Sequence, residues 1–93
     1  MLITKTPHKL IVDYDKEYDK ITVHIKGEKI ASYTHGVKEW LQLHKSLKDN
    51  EYTAITVWDF MKRYKSNQLK DLEIPIMIKW DYIAKKIKNK YYH

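Results

Sequence analysis

PIMIKWDYIAKKIKNKY, residues 75–91, is the stretch on which the fold turns, because it is the best candidate to cover a sheet. At about 100° per residue, Ile76, Met77, Trp80, Ile83, Ala84, Ile87 and Tyr91 fall on one side of a helical wheel. Lys79, Lys86 and Lys90 form a column along one edge of that stripe, with Lys85 and Lys88 on the far side. Pro75 suits a first helical turn, where its missing donor costs nothing. Asp81 stands four residues before Lys85, the favourable order for a helical ion pair. The pattern predicts a helix over 75–91 with an apolar side and a cationic side. A rival period exists: Ile74, Ile76, Ile78 and Trp80 alternate as an edge strand over 74–80 would, with Pro tolerated at the edge. The helix is preferred.

Upstream, the chain reads as the sheet to be covered. Ile21, Val23 and Ile25 alternate with Thr22, His24 and Lys26, the period of a strand buried on one face. Gly27 and Glu28 suit a two-residue type II′ turn, and 29–34 would be the return strand, with Ile25 opposite Ile30 and Val23 opposite Ser32. Residues 9–14 supply a further strand with Leu10, Val12 and Tyr14 on one side, joined to the hairpin by a turn over 15–19.

A first helix is expected over 37–48, with Gly36 as its N-cap, Glu39 near its positive end and a stripe of Val37, Trp40, Leu41, His44 and Leu47. Asp49 and Asn50 stop it. Residues 52–57 carry two signals, since their Thr, Ile and Val favour a strand while Thr56 and Asp59 resemble the ends of a capping box. The preferred reading is a helix over 57–65, with Val57, Phe60, Met61 and Tyr64 inward and Asp59 paired to Arg63. A break at 66–67 follows, and Leu69, Leu72 and Ile74 lead into the last helix. The expected architecture is therefore α+β: a three-stranded antiparallel sheet, a β-hairpin plus one strand, followed by two or three helices packed on one face.

At 93 residues the chain reads as a single domain, 1–93. The absence of cysteine excludes disulfides and thiolate chemistry. Residues 1–6 lack the apolar core of a signal peptide, and the longest uncharged apolar run, 74–78, is far short of a membrane span. A cytoplasmic protein without membrane attachment is expected. The formal charge is +6, and of the 18 basic residues only Arg63 is not lysine. That ratio, with plentiful Ile, Tyr and Asn, points to an AT-rich coding sequence and hence toward a virus or mobile element.

No catalytic motif emerges. Asp13, Asp15, Glu17 and Asp19 have the spacing of a calcium loop, but the positions that need Gly and a bidentate Glu are Tyr18 and His24. A solvated turn balanced by Lys16 and Lys20 is the simpler reading. The histidines at 8, 24, 35, 44 and 93 do not pair at metal-ligand spacing. His44, on an apolar stripe, reads as a half-buried, hydrogen-bonded structural residue. No Asp or Glu stands two residues before a Lys, as metal-dependent nucleases commonly require, and Gly27 and Gly36 stand alone where a phosphate loop needs several glycines. Ser32, Ser46 and Ser66 lack a nucleophile elbow. Neither an enzyme nor a bound metal or cofactor is expected.

Binding is what the composition favours. Residues 82–93 hold Lys85, Lys86, Lys88 and Lys90 and no acid, interleaved with Tyr82, Tyr91 and Tyr92. Lysines neutralise phosphates while tyrosine rings stack on unpaired bases. The candidate nucleic-acid-binding set is thus Lys79, Tyr82, Lys85, Lys86, Lys88, Lys90, Tyr91 and Tyr92. The near absence of Arg implies little sequence specificity, and neither DNA against RNA nor single against double strand is distinguished. The plain alternative for these residues is a solvated helix face with tyrosines edging the core. A helix-turn-helix over 56–64 and 68 onward is disfavoured by a turn without Gly and a short second helix before Pro75. The expected function is a non-catalytic nucleic-acid-binding or replication-accessory protein. The competing expectation is a protein-interaction module, a subunit or inhibitor of an acidic partner, anchored by some of the eight tyrosines and by Trp40, Trp58 or Trp80. Membrane-surface binding ranks third, since the apolar side of the last helix is needed by the sheet.

Overall fold

Residues 52–57, YTAITV, form the central strand of the sheet and are buried on both faces from Thr53 to Val57. Their β-branched residues suit a pleated, central position. The computed structural model describes residues 11–26, 31–70, 72, 74, 76 and 78–92. Five strands are present among them: β1 (Ile11–Asp15), β2 (Lys20–His24), β3 (Ser32–Lys38), β4 (Leu41–Ser46) and β5 (Tyr52–Val57). Helices α1 (Phe60–Lys65) and α2 (Trp80–Tyr91) follow. The order across the sheet is β1-β2-β5-β4-β3, with every neighbouring pair antiparallel. The fold is α+β, with a five-stranded antiparallel sheet where three strands were expected.

Alternation decides which side chains go inward. Ile21 and Val23 on β2, Leu41 and Leu43 on β4 and Ile55 and Val57 on β5 form one buried patch. Phe60 and Met61 from α1, Ile83, Ala84 and Ile87 from α2, and Leu69 and Ile76 from the connection close over it. Val12 and Tyr14 extend the patch onto β1. The strand expected over 9–14 is β1, beginning among described residues at Ile11; Lys9 and Leu10 lie outside them. The turn over 15–19 is present.

The helix expected over 37–48 is instead the end of β3 and all of β4. Val37, Leu41, His44 and Leu47 satisfy a helical period while Leu41 and Leu43 satisfy an alternating one. Short apolar segments support both. Pairing decides for the strand: Leu41 and Leu43 align with Val57 and Ile55 on β5 and become fully buried, whereas Val37 and Leu47 are left exposed.

The expected hairpin between β2 and 29–34 does not form. Both edges of β2 are taken, Val23 aligning with Val12 on one side and Ile55 on the other, and Ser32 pairs with Ser46 at the far edge of the sheet. β5 is the better partner because it brings a long β-branched run that local closure cannot match. The Gly27 and Glu28 turn, Lys29 and Ile30 lie outside the described residues.

The helix expected over 57–65 starts at Phe60, since Val57 completes β5. Thr56 is no cap: its hydroxyl lies 3.0 Å from that of Thr22 and 2.8 Å from His44 Nε2. Asp59, at the N-cap position, is left-handed (φ 55°) and makes no side-chain cap bond, a conformation Asp tolerates. Its carboxylate stands 3.8 Å from Arg63 instead. Capping comes from a residue distant in sequence. The Asp19 carbonyl accepts the Phe60 amide at 2.7 Å, and its carboxylate accepts the amides of Met61 (3.0 Å) and Lys62 (3.3 Å).

The last helix spans Trp80–Tyr91, shorter at its start than 75–91. Ile74, Ile76 and Ile78 are neither helical nor in the ladder, so the edge-strand alternative fails too; Pro75 and Met77 lie outside the described residues. Ile76 still reaches the core. Asp81 accepts the Tyr64 hydroxyl at 2.5 Å, which ties α1 to α2, and no Asp81 to Lys85 ion pair is found among the described residues. That bond raises the Tyr64 pKa.

Candidate nucleic-acid interface

With Ile83, Ala84 and Ile87 turned into the core, Tyr82, Lys85, Lys86, Lys88 and Lys90 of α2 are necessarily exposed. Three ammonium groups rest over tyrosine rings here: Lys86 over Tyr82 at 5.4 Å, Lys90 over Tyr91 at 5.4 Å and Lys16 over Tyr92 at 5.2 Å. Each is within cation–π reach. Among the described residues, none of Lys79, Lys85, Lys86, Lys88 and Lys90 forms an ion pair.

Tyr14 joins this helix to β1. Its ring lies 5.1 Å from that of Tyr91 and 6.3 Å from that of Tyr92. Its hydroxyl donates to Asp19 at 2.5 Å and lies 2.5 Å from that of Tyr92. Burial, reinforced by the Asp19 carboxylate, pushes the Tyr14 pKa far above the ordinary phenol value, so Tyr14 stays neutral. Between β1 and the C-terminal half of α2 lies a hollow of about 480 Å³ lined by Val12, Tyr14, Lys86, Asn89, Lys90 and Tyr91. It offers cations, rings and an amide within the volume range of small-ligand sites.

The structure gathers only part of the sequence-derived set here. Lys86, Lys90 and Tyr91 line the hollow, and Tyr82 joins them through Lys86. Lys79 and Tyr82 also border a second hollow of about 340 Å³ near the start of α2. Lys85 and Lys88 line neither. Tyr14 and Lys16 belong to the site although no local pattern marks them, because the β1–β2 hairpin alone brings them to α2. Comparison with family models, curated proteins and solved structures returns no match.

The acidic cluster finds separate uses in place of a metal loop. Asp19 caps α1, Asp15 accepts the Glu17 amide at 3.0 Å and Asp13 lies 3.2 Å from His24. No group of three or more metal-ligating side chains occurs among the described residues. The solvated-turn reading thus fails for Asp19, whose carboxylate is structural.

His44 sits on β4 instead of a helix, yet it is the half-buried, hydrogen-bonded residue expected, held by Thr56. Burial, then the charges of His24 and Lys20, lower its pKa below 6.5. The unfolded chain therefore takes up this proton more readily, and stability falls as pH drops below the unfolded value. Thermal unfolding is expected at a lower temperature near pH 5 than near pH 8, and His44→Gln narrows the gap. A gap unchanged in that variant would place the sensitivity elsewhere.

Proposed function

We propose that this protein binds single-stranded nucleic acid without catalysis and with little sequence specificity, as a replication-accessory protein of a virus or mobile element would. The observation that carries the reading is the hollow between β1 and α2, where Lys86 and Lys90 stand beside the rings of Tyr14 and Tyr91. Ammonium groups meet phosphates, and the faces of tyrosine rings receive bases by stacking. Lysine without arginine gives point-charge contacts and no bidentate base reading.

The test is an anisotropy titration with single- and double-stranded oligonucleotides across a range of salt. Single strands should bind more tightly, and log affinity should fall linearly with log salt, at about 0.7 per phosphate neutralised. Binding that ignores salt, or that favours duplex, contradicts the reading.

A second reading, docking of a protein, is favoured by β3. This edge strand is exposed on both faces along nearly its whole length, with Tyr33 and Val37 outward, and an edge of this kind accepts an added strand. Recovery of a stoichiometric partner that survives nuclease treatment would favour it.

A further inference from the structure

Both helices pack on the face that carries Ile21, Val23, Ile55 and Val57. Alternation places a different set on the opposite face: Asp13 and Asp15 of β1, Lys20, Thr22 and His24 of β2, Ala54 and Thr56 of β5, and Gln42 and His44 of β4. His24 and His44 both align with Ala54, one from each side. Their backbones are thus two strand spacings apart, about 10 Å, with the buried Ala54 aligned between them. Asp13 holds His24 and Thr56 holds His44, and the Thr22 hydroxyl meets that of Thr56 from the adjoining strand. Lys20 lies 5.1 Å over the Trp58 ring at the end of the same face.

This face is continuous with the proposed groove. A hollow of about 360 Å³ wraps the edge of β1 and is lined by Asp13, Tyr14, Lys20, Thr22, Lys90 and Tyr91. Lys90 and Tyr91 belong to the groove, Lys20 and Thr22 to the open face.

We propose that a single strand leaving the α2 groove crosses the edge of β1 and sets a phosphate between His24 and His44, above Ala54, only when the imidazoles are protonated. The inference rests on the binding reading above and adds regulation by pH. With neutral imidazoles the ionised groups of this face are Asp13, Asp15 and Lys20, with Lys26 paired to Glu51 at its end, a small negative excess that repels phosphate. Protonation of both histidines reverses the sign. Asp13 of β1, 3.2 Å from His24, opposes the change at that residue, whereas the groups facing His44 from the neighbouring strands, Thr34 of β3 and Thr56 of β5, carry no charge. Burial lowers the His44 pKa first and the charges of His24 and Lys20 lower it further; a phosphate placed beside them would offset the second of these causes. By linkage, acid tightens binding and bound nucleic acid raises histidine protonation.

The experiment uses the full chain and a fluorescein-labelled oligothymidylate of about 20 nucleotides, titrated near pH 5 and near pH 8 at constant ionic strength. Affinity should rise about tenfold at the lower pH, the effect of one unit of linked pKa shift. His24→Gln with His44→Gln should reduce the gain to less than about twofold, while His35→Gln, on exposed β3, keeps it. Should the double variant fail to fold in acid, histidine ring resonances of the unaltered protein give the answer: the oligonucleotide must raise the titration midpoints of residues 24 and 44. Unmoved midpoints, or a pH gain that survives in a folded double variant, overturn the proposal. Salt-sensitive binding with no acid gain sinks this inference alone, and absence of binding at either pH sinks the parent reading with it.

Discussion

Asp19→Ala is expected to lower the unfolding free energy by about 3 kcal/mol, the sum of a lost helix cap and a lost hydrogen bond to a half-buried phenol. Asp19 lies in a turn forty-one residues before the start of the helix it serves, and it is left-handed, with φ 51°. Three consecutive amides of α1 point at this one residue, two at its carboxylate and one at its carbonyl. The same carboxylate accepts from Tyr14. A six-residue helix has too few internal bonds to stand without such support. Alanine removes the acceptor, leaves Tyr14 to find water in a half-buried place and keeps the backbone in a region that disfavours a Cβ. Asn preserves one acceptor oxygen and tolerates the left-handed conformation, so Asp19→Asn should lose about half as much. Urea unfolding measures both. A loss below about 1 kcal/mol in the alanine variant would mean that the surrounding packing, and not Asp19, holds the start of α1.

Asp19 also shows where sequence reading reaches its limit. Local signals found β1, β2 and the turn between them, because alternation and a run of acids and lysines describe a hairpin completely. They found α2 from Trp80 onward, because the inward positions Ile83, Ala84 and Ile87 recur at the helical period and no other period fits them. They misplaced 37–48 and the partner of β2, which only pairing between distant strands settles. Residues 41–46 satisfy two periods, and only Ile55 and Val57 lying alongside choose between them. Thr56 has the composition of a cap, yet its hydroxyl is consumed by Thr22 and His44, thirty-four and twelve residues away. Helices usually carry a capping signal just before their first turn, whereas the cap of α1 comes from the first hairpin.

The candidate site divides along the same line. Lysines and tyrosines spaced along one helix are visible in the chain, and their exposure follows from the burial of their neighbours. Tyr14, Lys16 and Lys20 gain their positions only when β1 and β2 reach α2 across the folded molecule. So does the pair of imidazoles beside Ala54, which no histidine spacing in the chain announces.

The largest effect on binding is expected from reversing the charges that line the groove. Lys86→Glu with Lys90→Glu should weaken binding of single strands at low salt by about thirtyfold or more, and should reduce the salt slope by about 1.4, or two phosphate contacts at 0.7 each. Both side chains point away from the core, so helix content and unfolding midpoint should change little. Lys85→Glu with Lys88→Glu is the control that separates a site from mere basicity. It changes net charge by the same amount, on the same helix, at residues that line neither hollow. If the protein attracts nucleic acid only through its overall charge of +6, the two double variants lose affinity equally. If phosphates sit beside Tyr14 and Tyr91, the groove variant loses both affinity and slope, while the control keeps its slope and weakens by less than about threefold, because screening confines each charge to roughly a Debye length. Equal losses would dissolve the groove into a diffuse cationic surface.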